Sequence, residues 1–286
     1  MRTSAIVRIV LYSIAILILI SILAGALFLN NVAIHTDWQT FFTSENTGTV
    51  ASVGYVPAGE IRDIQVEWAA GDIFIEPGDV SEITFSETAG LAKEDQLIWS
   101  KKGDKLVIQF CKTRVYFGIS VEAPKSLKIV VPRDWICDEL EIDAASAEVT
   151  VTNMTINAVD FDGASGVCTF TDCHVKNLDV DTASGDLRFS GTLTELDCDA
   201  ASASCTMLLS NCPRRIDADM ASGDLRLTLP ENCGFTVDLD ALSGDFTSDF
   251  ATAQQNGSYV FGDGSCKISV SAMSGDVIIY KGSAAE

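Results

Sequence analysis

The chain repeats one five-residue phrase seven times, as AASAE, GASGV, TASGD, AASAS, MASGD, ALSGD and AMSGD. The serines at their centres are Ser146, Ser165, Ser184, Ser202, Ser222, Ser243 and Ser274, with steps of 19, 19, 18, 20, 21 and 31 residues. A degenerate eighth copy, WAAGD, has Ala70 where the serine would be. Units of about 20 residues are too small to bury an apolar face alone, so they must stack. The pattern therefore points to stacked coils rather than to an enclosed active-site fold.

The flanks of each copy keep one inside/outside order. Six residues before the serine stand Leu140, Val159, Leu178, Leu196, Ile216, Val237 and Ile268, and four before it Ile142, Phe161, Val180, Cys198, Ala218, Leu239 and Val270. Three residues after it stand Val149, Cys168, Leu187, Cys205, Leu225, Phe246 and Val277, and five after it Val151, Phe170, Phe189, Met207, Leu227, Ser248 and Ile279. Apolar residues at every second position are strand periodicity. Each unit thus reads as strand, tight turn, strand. Glycine after the serine at 166, 185, 223, 244 and 275 suits a turn needing positive φ, and the small residues beside it let successive turns stack closely. The predicted fold is all-β, a single-stranded β-solenoid of about 20-residue rungs. A β-sandwich is the competing reading, but it would bring hairpin signals and less uniform columns.

Residues 9–29, IVLYSIAILILISILAGALFL, carry no charge and are long enough to cross a bilayer core as a helix. Arg2 and Arg8 precede this stretch, and His35, Asp37 and Glu45 follow it, which places residues 1–8 in the cytoplasm and the repeats outside. The expectation is one N-terminal transmembrane helix, although AGA at 24–26 also suits a cleaved export signal. Residues 30–59 read as an extracytoplasmic tether, and 60–282 as the repeat domain, irregular over 60–135 and regular over 136–282. Within the irregular part, residues 82–113 read as three strands with a KKGD turn, and LKIVVP as a strand closed by Pro132.

A membrane helix, an early AGD rung, a strand ending in VVP and repeated SGD turns together resemble the bacterial putative-adhesin family of unknown function, which includes LiaG-like envelope proteins. The resemblance spans about residues 50 to 282 and implies the repeat architecture at the cell envelope. It brings no catalytic motif with it. The cysteine load and the density of aspartate depart from the family pattern.

The aspartates are ordered. Glu141, Asp160, Asp179, Asp197, Asp217 and Asp238 stand five residues before their serines, and Asp143, Asp162, Asp181, Asp199, Asp219 and Asp240 stand three before. Alternation puts both columns outside the core, and only the last repeat breaks them, with Ser269 and Ser271. In a parallel stack with rungs about 4.8 Å apart, like charges repel by about 0.9 kcal/mol even at the dielectric of water. Two outcomes would relieve this repulsion. Divalent cations, calcium above all, would bridge oxygens on neighbouring rungs as weak, distributed ligands, or salt, water and partial protonation would screen the face. No other cofactor is expected. A net charge of −21 repels nucleic acid and favours cationic or cation-bridged partners, such as a cell-wall component.

Of the nine cysteines, Cys168, Cys198 and Cys205 fall in core columns, where a thiol packs as a small apolar residue. Cys212 and Cys233 each precede a repeat serine by ten residues and are candidates for a disulfide between neighbouring rungs. Metal spacings of the CxxC type are missing. His174 beside Cys173 would face the other way on a strand, and no GxSxG, P-loop or HExxH is present. The expectation is a non-enzymatic binding, adhesion or structural module at the cell envelope, partnered by a wall component or a neighbouring membrane protein. An accessory or sensor role in envelope-stress signalling is the alternative, and a polysaccharide-processing enzyme the third.

Overall fold

In a computed structural model of the chain, residues 48–111 and 124–282 are described. The expected membrane span at 9–29 lies outside them, and among the described residues no helix is long and apolar enough to cross a membrane. The chain is all-β. First come β1 (Thr49–Val50), β2 (Val53–Pro57), β3 (Asp63–Gly78), β4 (Glu82–Glu87), β5 (Ile98–Lys102), β6 (Lys105–Gln109) and β7 (Leu127–Pro132). The repeats follow in β8 (Ile136–Thr152), β9 (Thr155–Ser202), β10 (Cys205–Leu209), β11 (Arg215–Ser222), β12 (Leu225–Pro230), β13 (Phe235–Ser243) and β14 (Phe246–Ser248). An extra pair, β15 (Ala253–Gln255) and β16 (Ser258–Phe261), precedes β17 (Cys266–Ser274) and β18 (Val277–Gly282). The three strands expected between 82 and 113 are β4, β5 and β6, and LKIVVP is β7. The end of the expected tether is itself strand, because β2 pairs antiparallel with β4.

Parallel pairing sets the repeat turns in register. Ala70 aligns with Ser146, Ser146 with Ser165, and Ser202 with Ser222. The order along the stack then departs from the order along the chain, because Ser222 and Ser243 both align with Ser274. The last repeat is therefore inserted between the two before it, and the Ser243 rung ends the run of repeats. The other end doubles back in the same way. β3 lies inside this end, with β6 and β7 pairing parallel on its outer side and β5 and β4 antiparallel beyond them.

The apolar columns form the core. In the columns six before, four before, three after and five after the serine, nearly every side chain is buried, from Leu140 and Ile142 to Val277 and Ile279. The exceptions, Leu239, Phe246 and Ser248, all belong to the Ser243 rung. They are half-buried because this rung has a repeat on one side only. β16 covers the start of β13, pairing Phe235 with Phe261 through Val237 with Tyr259, and among the described residues the rest of the rung is an open edge.

Glycine at the turns answers two demands. Gly185 has φ +140°, and a Cβ built on it would lie 1.8 Å from the carbonyl oxygen of Gly166 on the next rung. At Gly223, with φ +134°, the same atom would lie 1.7 Å from the Ala203 oxygen. The aspartate that follows links the rungs, since Asp224 accepts from the Asp276 N–H and Asp276 from the Asp245 N–H, each at 2.9 Å. Cys212 and Cys233 are joined by a disulfide, with their Cα atoms 5.1 Å apart. At the other end Lys125 and Glu87 form a buried ion pair. Glu87 also accepts from the Leu97 N–H at 2.7 Å and the Ser52 hydroxyl at 3.1 Å, and the Lys125 ammonium lies 4.4 Å from the Phe110 ring centre. A buried pair whose remaining polar atoms are satisfied fixes one arrangement of this end.

Candidate functional site: the outward carboxylate columns

Each carboxylate pair flanks one core-column residue on the strand leading into a turn. Ile142, Phe161, Val180, Cys198 and Ala218 point inward, so their neighbours on either side must point out. Parallel register then aligns the pairs, Glu141 with Asp160 and Asp143 with Asp162, and, further along, Asp197 with Asp217 and Asp199 with Asp219. Asp160, Asp162, Asp179, Asp181, Asp197, Asp199 and Asp219 are exposed, while Glu141, Asp143 and Asp217 are half-buried. The strand after the turn is different in character, with Thr150, Thr169, Arg188, Thr206 and Arg226 outward, and its two arginines are held by Asp186 and Asp224 of their own rungs.

The columns do not run unbroken through six repeats. Because β17 lies between β11 and β13, Ser269 separates Asp217 from Asp238 and Ser271 separates Asp219 from Asp240. The twelve expected residues thus divide into ten on five successive rungs and an isolated pair, Asp238 and Asp240, on the last. The structure also adds a carboxylate that the repeat phrase concealed, since Glu67 aligns with Asp143. Its rung has alanine in place of the serine, but counting back three residues from Ala70 locates it.

Among the described residues, the ends of the face have partners and the middle does not. Lys105 Nζ lies 3.0 Å from both Glu139 and Glu141, Gln109 donates to Glu67 at 2.8 Å, and Gln65 donates to Glu141 at 3.2 Å. Arg215 pairs with Asp217, and Ser258 donates to Asp238. Among the described residues no lysine or arginine pairs with Asp143, Asp160, Asp162, Asp179, Asp181, Asp197, Asp199 or Asp219. Desolvation first, then the neighbouring carboxylates, push Asp143 and Asp199 up to about 6. The same two causes raise Asp160, Asp179 and Asp181. Among the described residues, no three His, Cys, Asp or Glu side chains are gathered to hold a single metal ion.

The cysteine and histidine chemistry lies elsewhere. Cys173 is buried and donates to the Thr171 carbonyl at 3.4 Å, whereas His174 is exposed with Nδ1 2.8 Å from the Thr192 hydroxyl oxygen. Burial pushes the Cys173 thiol up to about 11, and Cys137 and Cys266 to about 12. These thiols pack.

No curated protein matches the sequence. Among solved structures, the chain is similar to a putative adhesin from Bacteroides fragilis, with 11% identity, a TM-score of 0.45, and coverage of 80% of this chain and 95% of that one. It is also similar to a putative cell adhesion protein from Clostridium sporogenes, with 10% identity, a TM-score of 0.38, and coverage of 80% and 98%. A putative lipid binding protein from Parabacteroides distasonis matches with 12% identity, a TM-score of 0.34, and coverage of 80% and 96%. The profile of the Toastrack DUF4097 family matches residues 35–280, which include the registered turns and both carboxylate columns, and the chain belongs to that family.

Proposed function

We propose that this protein is a non-enzymatic binding module of the cell envelope, a β-solenoid held outside the cytoplasmic membrane by residues 9–29. Its acidic face engages a cationic or cation-bridged polymer of the wall. The observation that carries this reading is the register of ten outward carboxylates on five successive rungs, with no paired lysine or arginine in the middle among the described residues. Repetition suits a repeating ligand, because contacts that are weak singly become strong when many are made at once. It does not suit acid and base catalysis on a glycan, which needs one protonated and one ionised carboxyl in distinct settings. Asp143 and Asp199 stand apart in their ionisation, but the rungs of Asp162 and Asp181 lie between them.

Weak, distributed calcium binding along the columns belongs to the same reading, with carboxylate oxygens of adjacent rungs as ligands. Sedimentation with purified cell wall tests the proposal. The chain is expected to co-sediment, and D160N/D162N/D179N/D181N to remain in the supernatant while melting no lower than the parent. Equal retention of the variant would remove the face from the function. Crosslinking to a membrane protein without wall binding would favour the signalling role instead. Thermal melting with calcium and with chelator, at moderate salt, tests the cation, and identical curves would dismiss it.

A further inference from the structure

The positions four before and three after a repeat serine both point into the core, and the Ser202 rung is the only one in which both are cysteine. These residues, Cys198 and Cys205, are fully buried, and their sulfurs lie 3.2 Å apart across the interior. They line a small cavity with Phe161, Cys168, Val180 and Leu187. A disulfide bond is about 2.05 Å long, so about 1 Å of approach would close the pair, and the cavity provides slack for it.

We propose that Cys198 and Cys205 are a second disulfide site, closed while the chain folds, which ties the strand entering the Ser202 turn to the strand leaving it. The oxidant is a disulfide, borne by a small thiol compound or by a thiol oxidoreductase. One protein thiolate attacks a sulfur of that disulfide, forming a mixed disulfide and expelling the first thiol. The second protein thiolate then attacks the mixed disulfide and expels the other. Two protein S–H bonds and the oxidant's S–S bond are broken, and one protein S–S bond and two oxidant S–H bonds are formed, so two electrons and two protons reach the oxidant. The exchange precedes packing, because a buried sulfur is out of reach of any partner. The neighbouring Cys205 sulfur and burial both raise the Cys198 pKa, which keeps the thiolate scarce once the rung has closed. The site is independent of what the acidic face binds.

The full chain in detergent, reduced and denatured, is refolded in a glutathione redox buffer, denatured again without reductant, alkylated, and mapped after cleavage at aspartate and arginine. Two disulfides among nine cysteines leave five alkylated, with the peptides on either side of Asp199 linked through Cys198 and Cys205. Recovery of both residues alkylated, in chains whose Cys212 and Cys233 are linked, overturns the proposal. In C198S, Cys205 is expected to be alkylated, and a crosslink from Cys205 to another cysteine in its place would overturn the pairing. Where that variant fails to fold, C212S/C233S gives the answer: the Cys198 to Cys205 link persists if the site is real, and all seven remaining cysteines are alkylated if it is not.

Discussion

At the scale of single residues, the glycine after the repeat serine is set by its neighbour on the next rung as much as by its own backbone. Ala147 and Ala203 occupy the same column without a left-handed backbone, so the column tolerates a methyl group only where the turn is shaped differently. Gly185→Ala should therefore strain φ and push a Cβ into the Gly166 carbonyl. The expected loss is on the order of 2 kcal/mol or more, read as a lower midpoint in urea. Gly59→Ala is the control. No atom lies within 4 Å of its added Cβ, and a change within about 0.5 kcal/mol is expected. Equal midpoints for the two variants would refute the close-approach account. The need for glycine was legible in the repeated SGD, but the carbonyl that enforces it belongs to a residue 19 positions away.

Among elements, the Ser243 rung is one whose setting the chain order misstates. It is seventh of the eight copies in the chain but terminal in the stack, and its core-column residues Leu239 and Phe246 are accordingly only half-buried. Open edges recruit other strands unless charge or shape prevents it. Asp238, Asp240 and Asp245 stand along this edge, all exposed. D238N/D240N/D245N is expected to self-associate, with a mass by light scattering that rises with concentration while the parent stays constant. D160N/D162N/D179N, neutralised inside the stack, should behave as the parent, and association of both variants alike would show that net charge rather than edge protection is at work. The 31-residue step between Ser243 and Ser274 was the visible sign of an irregular element here. What it contains, the β15 and β16 pair over the start of β13, carries no repeat phrase to announce it.

For the molecule as a whole, the acidic face couples stability to pH. Asp143 and Asp199 have folded values of about 6 against an ordinary 3.8, so as pH falls the folded chain takes up protons before the unfolded chain does. Stability therefore rises from about pH 7 down to about pH 4, where the unfolded chain protonates as well. Asp79, Asp138 and Asp263 are shifted the other way, and the stability they supply is lost only as pH falls below their ordinary 3.8. The melting temperature should climb between about pH 7.5 and 5, and D143N/D199N should melt higher at the upper pH with a flatter profile. A melting temperature that falls steadily across this window would contradict the electrostatic account of the face. Added salt should raise the melting temperature at neutral pH by screening the same repulsion.

The repeat alone determined which side chains are core and which are surface, because a period of two along a strand and one serine per turn leave no other placement for the apolar columns. It therefore located the carboxylate columns before any contact was known. It left undecided which rungs are neighbours. Every rung offers the same alternation, so local pattern stabilises many stacking orders almost equally, and only longer connections and closing elements distinguish them. Folding of the whole chain settled that Ser274 lies between Ser222 and Ser243, that Ser269 and Ser271 therefore interrupt the acidic face, and that Cys198 meets Cys205 across the core.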